Sequence, residues 1–353
     1  MNLNKNFWNN KRVFITGHSG FKGSWLSFWL SNLGAKVKGY ALKPNTAPNL
    51  FNILKIDSKI ESTFGDIVDY ENLRKNLLEF KPEIIFHMAA QPLVRYSYLN
   101  PIETYKTNVI GTANILNILR ELDSVKAFLN VTTDKCYENL EWIWPYRETD
   151  RLGGHDPYSN SKACSELVTS AFYNSYFKDK TSLGVATARA GNVIGGGDWS
   201  LDRLIPDFIR SVSKNETITI RNPNAIRPWQ HVLDPLSGYI LLAEKLYDER
   251  EYFSEAWNFA PSGDKFFTVE MIINKICNAW GANSKYQIKE DNNLHEAGLL
   301  SLDPSKAIFK LKWKPKLDVN DSVEKTINWY KNYYENNNME KFTIEQIESY
   351  LRK

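Results

Sequence analysis

Cysteine is scarce. The chain has three in 353 residues, Cys136, Cys164 and Cys277, far apart and without a Cys-x-x-Cys pair. An odd, scattered set argues against a disulfide framework or a zinc cluster and fits a reducing compartment, so no metal site is expected. Long apolar runs are lacking too. No stretch approaches the roughly 20 residues of a membrane span, and residues 1–8 are polar, without the apolar core of a signal peptide. A cytoplasmic protein is expected. An excess of either charge is also missing: 44 basic against 41 acidic residues leave a net charge of +3. Without a basic stripe or an acidic tail, neither nucleic acid nor a membrane surface is an expected partner. No internal repeat or low-complexity tract is present. Apolar residues, at 42%, are plentiful enough for a sizeable core, and 353 residues suggest one large and one smaller domain.

Strand and helix signals alternate along the first half. Residues 12–16 read as a short apolar strand, followed at once by Gly17-His18-Ser19-Gly20-Phe21-Lys22-Gly23 and a helical pattern. Glycines at that spacing allow a tight turn, close approach of a pyrophosphate and packing of helix on sheet. The helix N-terminus then faces the anion. Residues 35–40, 60–64, 83–88 and 127–132 read as further strands, 70–80 and 101–122 as covering helices, and 46–52 as a loop. This alternation implies an α/β fold: a doubly wound parallel Rossmann-type sheet, with ligands collecting at the carboxyl ends of its strands. Thr16, Gly65-Asp66, Ala89-Ala90-Gln91 and Thr132-Thr133-Asp134 fall at such ends. The carboxylate usual about 20 residues after the glycines, which holds the ribose of NAD, is missing. Lys43 there would suit a 2′-phosphate, so the residues alone leave NAD and NADP open. Asp66 is placed to accept from an adenine amino group, or is simply an exposed loop carboxylate.

The reactive side chains concentrate between residues 131 and 162. Val131-Thr132-Thr133-Asp134-Lys135-Cys136-Tyr137 reads as a buried strand breaking into a polar loop, and Tyr158-Ser159-Asn160-Ser161-Lys162 opens a helix. Four positions apart, the phenol and the ammonium share a helix face. A phenol with a free pKa of about 10 is a poor base, but a fixed cation beside it favours the phenolate. After Gly191 the character changes. Gly195-Gly196-Gly197-Asp198-Trp199 reads as a flexible segment, 201–213 as a helix, 216–221 as a strand, and 234–248, 268–280 and 321–334 as helices.

On these residues the chain resembles the extended short-chain dehydrogenase/reductases, and within them the nucleotide-sugar 4,6-dehydratases. The general motifs are the glycine turn, His87-Met88-Ala89-Ala90-Gln91, Thr107-Asn108-Val109-Ile110-Gly111-Thr112 and Tyr158 to Lys162. More specific are Val131 to Tyr137, Glu141-Trp142-Ile143-Trp144, the segment 189–199 and Ile226-Arg227-Pro228-Trp229-Gln230-His231-Val232. Dehydratases for dTDP-glucose carry Glu where this chain has Lys135, which points to the CDP-glucose branch. The resemblance implies a tightly held NAD. Its site would comprise the turn residues Gly17, His18, Ser19, Gly20, Phe21, Lys22 and Gly23. Asp66, Ile67, Ala89, Ala90, Gln91, Asn108 and Thr132 would line it, with Tyr158 and Lys162.

The resemblance also implies hydride removal at C4 of the sugar, loss of water across C5 and C6, and hydride return. Tyr158 and Lys162 would serve the first step, with Thr133 on the same hydroxyl. Asp134 would be the acid at C6, and Lys135 either the C5 base or a cation stabilising the enolate. Gln91, Arg95, Asn192, Arg203, Arg227 and His231 would hold the nucleotide sugar, and Trp142, Trp144 and Trp199 would border it or simply pack. The implied division is 1–190, with a return segment near 230–258, for the dinucleotide, and 191–229 with 259–353 as a smaller mixed α/β domain for the nucleotide sugar. A homodimer through residues 101–122 and 157–177 is implied too. A nucleotide-sugar 4-epimerase, a dehydratase for another nucleotide and a non-catalytic dinucleotide sensor are the competing readings.

Overall fold

The computed structural model describes residues 4–179, 182–261, 267–281, 286–289 and 298–353. At its centre lies a parallel sheet of seven strands: β1 (Arg12–Thr16), β2 (Lys36–Ala41), β3 (Glu61–Phe64), β4 (Ile84–His87), β5 (Ala127–Val131), β6 (Gly184–Arg189) and, at the far edge, Ala256–Asn258. Their spatial order is the Ala256–Asn258 strand, β6, β5, β4, β1, β2, β3. The chain winds outward from β1 through β2 to β3, then crosses back to β4 and winds the other way. The switch between β1 and β4 opens a crevice above the strand ends, where ligands of such sheets bind. In register, Thr16 pairs with both Tyr40 and His87, His87 with Asn130, and Val131 with Ala188, so these ends stand side by side.

The inner strands are apolar almost throughout because both faces are covered by helices. Every residue of β4, β5 and β6 is buried. On one face pack α1 (Phe21–Asn32) and a later helix, Leu233–Asp248. On the other pack α2 (Tyr70–Phe80), α3 (Gly111–Ile118) and α4 (Pro157–Phe172). The expected 101–122 helix is one run: Pro101–Tyr105, a π turn over Lys106–Ile110, α3, and a closing turn at Leu119–Glu121. The expected 46–52 loop ends in a short helix, Leu50–Ile53, capped by the Asn49 side chain.

Beyond β6 the chain forms two small parallel pairs. These are β7 (Val193–Ile194) with β9 (Gln230–His231), and β8 (Ile218–Ile220) with Tyr286–Ile288, with α5 (Leu204–Ser213) between β7 and β8. The segment 195–199, expected to be flexible, is instead buried. A Cβ on Gly196 would lie 2.0 Å from the Trp329 ring, and Trp199 packs edge-on against Trp329, Tyr330 and Tyr333. Glycine here admits an indole rather than motion. The last helix, Met339–Arg352, is fastened to the sheet unit: the Tyr350 hydroxyl donates to Asp234 at 2.9 Å, and the Lys316 amide donates to the same oxygen at 2.8 Å.

Candidate active site

The glycine turn is dictated by space. Gly17 has φ +75°, and a Cβ there would come within 2.7 Å of the Ala89 amide nitrogen; one on Gly23 would lie 2.0 Å from the Gly17 carbonyl oxygen. α1 begins at Gly20 with no side-chain cap, so its first amides remain available to an anion. His18 contributes backbone only. Its ring is fully buried, with Nε2 at 2.7 Å from the Ser62 hydroxyl, and burial pulls its pKa down to about 4.

Beneath the crevice runs a buried chain of neutral hydrogen bonds. Thr16 Oγ1 meets His87 Nδ1 at 2.8 Å, His87 Nε2 meets Thr112 Oγ1 at 3.0 Å, and Thr112 meets Ser165 at 3.0 Å. The Asn130 amide then donates to Ser165 and Thr169. Burial first, and Lys162 second, push His87 down to about 3, so the relay is uncharged at neutral pH. Asn108 is spent inside the fold: its carbonyl accepts from the Gln91 amide at 2.9 Å, and its amide donates to the Ser161 hydroxyl at 2.8 Å. The Gln91 side chain likewise bonds Thr104 and the Leu93 amide. Both residues shape the crevice from behind.

α4 delivers the reactive pair. Pro157 occupies its first turn, and the N-capping Asp156 carboxylate accepts from the Ser159 amide at 2.9 Å. The Tyr158 amide is held by the Ser97 hydroxyl at 3.1 Å. Lys162 donates to the Val131 carbonyl at 3.3 Å, and burial lowers its pKa to about 8. The sequence led us to expect a phenol held low by its lysine. The structure reverses this: burial pushes Tyr158 up to about 12, opposed by a Thr133 hydrogen bond and by the Arg203 charge.

After β5, Thr133 donates to Asp134 Oδ1 at 2.9 Å and accepts from the Lys135 amide at 3.3 Å. The other carboxylate oxygen of Asp134 is buried with no protein partner, lying against Gly191, where a Cβ would sit 2.0 Å from it. The Thr132 hydroxyl turns inward to Glu166. Glu166 and Arg189 form a bidentate pair at 2.8 and 2.9 Å, both nearly fully buried. Burial alone would raise Glu166, but the Arg189 charge, aided by hydrogen bonds from Arg189, Thr132 and Thr187, holds it below its ordinary value.

One cavity of about 340 Å³, a size suited to a small ligand, gathers these groups. Lys22, Thr133, Asp134, Lys135 and Tyr158 line it together with Arg203, Arg221, Arg227, Trp229, Arg95 and Asn192. Lys22 is pulled down to about 7, first by burial, then by Lys162 and Arg203. Arg203 pairs with Asp198 at 2.9 Å, and Arg227 rests on the Ile226 carbonyl at 2.9 Å. Asp66 stays exposed beyond β3, with one oxygen accepting from the Val68 amide at 2.9 Å, and Ile67 is buried beside it.

His231 does not join this cavity. It is fully buried, edge-on to Trp25, its Nδ1 accepting from the Leu233 amide at 3.3 Å, which corrects its expected substrate role to a structural one. Trp142 stacks on Tyr146, and Trp144 is 65% exposed. With Trp199 in the core, none of the three tryptophans borders the cavity. Sequence reasoning missed the Glu166–Arg189 pair. Its only signal was two opposite charges within otherwise apolar elements.

The open helix amides, the space kept clear by Gly17 and Gly23, and the crevice between β1 and β4 fit a dinucleotide. Over this fold, a sheltered phenol, amine and carboxyl on the lining of a cavity that also carries arginines describe a nucleotide-sugar-modifying short-chain dehydrogenase/reductase. A family model described as GDP-mannose 4,6 dehydratase matches residues 14–326, and the chain belongs to that family. CDP-glucose 4,6-dehydratase of Salmonella typhimurium is 52% identical over 353 residues, covering 99% of this chain and 98% of that one. A probable dTDP-glucose 4,6-dehydratase of Sinorhizobium fredii is 25% identical, covering 90% and 92%. Among solved structures, DesIV, a dTDP-glucose 4,6-dehydratase from Streptomyces venezuelae with NAD and TYD bound, superposes with a TM-score of 0.78 at 24% identity, covering 92% and 98%. The UDP-glucose 4-epimerase of Thermotoga maritima with UDP-glucose gives 0.77 at 23%, covering 92% and 99%.

Proposed function

We propose that the protein is an NAD-dependent CDP-glucose 4,6-dehydratase, converting CDP-glucose to CDP-4-dehydro-6-deoxyglucose and water. The observation that carries this is the gathering of Thr133, Asp134, Lys135 and Tyr158 on the lining of one cavity that also presents Arg203 and Arg227. The dinucleotide would lie on the Gly17–Gly23 turn and run toward Lys162. NAD held there would supply hydride-transfer chemistry, accepting at C4 and donating at C6.

Tyr158 takes the proton of the C4 hydroxyl. Its phenolate is costly in this buried position, and Thr133 and Arg203 are the groups that favour it. Once C4 is a ketone, the C5 proton is acidic. Lys135, half-buried at the cavity wall, takes that proton, while Asp134 gives one to the departing C6 hydroxyl, which leaves as water. After exchange with solvent, Lys135 returns a proton to C5, and the proton held by Tyr158 replaces, through solvent, the one Asp134 gave up, which closes the balance. Arg203 and Arg227 present paired donors to the diphosphate, with Arg95 and Asn192 along the wall. The CDP base is supported by the 52% identical Salmonella relative and by Lys135 standing where dTDP-glucose enzymes carry Glu.

Incubation with CDP-, dTDP-, GDP- and UDP-glucose in deuterated water tests the reading. A 4-keto-6-deoxy product labelled at C5 is expected from CDP-glucose. Its absence with every nucleotide overturns the dehydratase, a C4 epimer instead makes the enzyme an epimerase, and label with another nucleotide alone replaces the base.

The division into a dinucleotide part (1–190 with 230–258) and a sugar part (191–229 with 259–353) belongs to the same proposal, supported by the cavity lining drawn from both. A homodimer is supported by Leu99, Ile102, Ile110 and Leu167, apolar and 50 to 82% exposed on helices that pack side by side. Elution as a monomer in gel filtration would remove it. No helix among the described residues is long and apolar enough to cross a membrane. A cytoplasmic location is supported by the odd, widely spaced cysteines without a Cys-x-x-Cys pair.

A further inference from the structure

One buried polar group beside Lys22 is left unexplained by this chemistry. Tyr239 lies in the helix Leu233–Asp248, fully buried, its ring edge-on to Phe259 at 5.4 Å. Its hydroxyl has no protein partner, although a buried phenol ordinarily finds one. The second unpartnered oxygen nearby is Asp134 Oδ2. Lys22 links the two places: its amine stands 5.9 Å from the Tyr239 ring centre, and its side chain lines the cavity with Asp134. Charge on Asp134, and then on Tyr158, acts on the Tyr239 phenol in addition to burial, so these groups lie within electrostatic reach of one another.

We propose that Tyr239 is a positioning residue for the dehydration step: together with the Lys22 amine, its hydroxyl holds Asp134 Oδ2 through one buried water. Three polar partners suffice to order such a water. Thr133 fixes the other oxygen of the same carboxyl, so the group is gripped on both sides and its proton is aimed at one place. Removing the grip on one side lets the carboxyl turn away from the departing hydroxyl without touching Tyr158 chemistry. The charged and titratable groups facing Asp134 are Lys22 from α1, Tyr158 from α4, Tyr239 from its own helix, and Cys136 from the same loop.

The inference rests on the dehydratase reading, and the experiment separates the two. Holoenzyme is mixed rapidly with CDP-glucose while the near-ultraviolet absorbance of reduced nicotinamide and the product are followed. In Tyr239→Phe, C4 oxidation keeps its rate and KM is unchanged, whereas water loss slows about tenfold, the scale of one lost hydrogen bond, so reduced cofactor accumulates. In an Asp134→Asn background the same change adds nothing. Tyr239→3-fluorotyrosine keeps shape and hydroxyl but alters its acidity, so it changes the water-loss rate alone. A Tyr239→Phe enzyme with a wild-type time course, or with both steps slowed equally, overturns the inference. If that variant does not fold, an unchanged water-loss rate in the fluorotyrosine enzyme overturns it. A wild-type enzyme that makes no labelled product sinks the functional reading instead.

Discussion

Around the end of β5 and the start of α4, Asp134, Tyr158 and Lys162 are buried and backed by the neutral relay from Thr16 through His87 to Thr169. Among the arginines of the cavity lining, Arg203 and Arg227 are only half-buried, Asp202 is exposed, and the contacts are ion pairs such as Arg221 with Asp202 at 2.9 Å. The first region has most of its polar groups bonded before any ligand arrives, because leaving them unpaired in a buried place is costly, and Asp134 Oδ2 is the exception. The second exchanges one set of charge partners for another at little cost. Damage to the first should therefore appear in rate and in folding, and damage to the second in affinity.

The comparison is broken most directly at Tyr158. In Tyr158→Phe, kcat for hydride transfer should fall by about a hundred- to ten-thousandfold with little change in KM, the range of a lost acid–base group. A rate within threefold of wild type, measured in a single turnover, would remove the phenol from the chemistry. Next in size is the buried pair below. Arg189→Met leaves the Glu166 charge without its partner and should lower unfolding stability by about 3–5 kcal/mol in urea titration. A loss below 1 kcal/mol would mean that this pair does not hold the buried layer together.

Acid should act on the same buried layer. His18, His87 and His231 have folded values of about 4, 3 and 3, depressed chiefly by burial from 6.5. Groups depressed on folding stabilise above their unfolded value and lose that contribution as pH falls toward the folded one. Each should remove about 2 kcal/mol between pH 7 and pH 5, read from urea midpoints. A flat profile over that window would contradict the burial assigned to them. The smallest effect belongs to the arginines of the cavity lining. Arg227→Ala should raise KM about tenfold with kcat nearly unchanged, about 1.4 kcal/mol for a charge-assisted contact. A fall in kcat without a rise in KM would place Arg227 with the chemistry instead.

Much of this was legible in the residues because local rules fixed it. The glycine turn between strand and helix, the four-residue spacing of Tyr158 and Lys162, and the alternation of strand and helix needed only short-range geometry. What escaped depends on distant packing. Gly195 to Trp199 carries the composition of a flexible linker, yet its Gly196 makes room for Trp329, more than 130 positions away in sequence. His231 sits in a motif rich in ligand-binding residue types, but whether it faced a cavity or Trp25 was set by where α1 lay. The lowered phenol failed for a related reason: spacing placed the lysine near the tyrosine, while spacing is silent about how much water the fold removes from both. Tyr239 gave no signal, since one phenol in an apolar helix looks like any other core aromatic.

Gly191 carries a last consequence. Its bare α-carbon faces the one oxygen of Asp134 that the fold leaves unbonded, so a single methyl group at this position would claim the volume the carboxyl occupies. An alanine there would leave the whole inventory of reactive groups intact and still disarm the enzyme, by eviction alone. In this molecule an absent side chain is as much a component of the chemistry as those that are present.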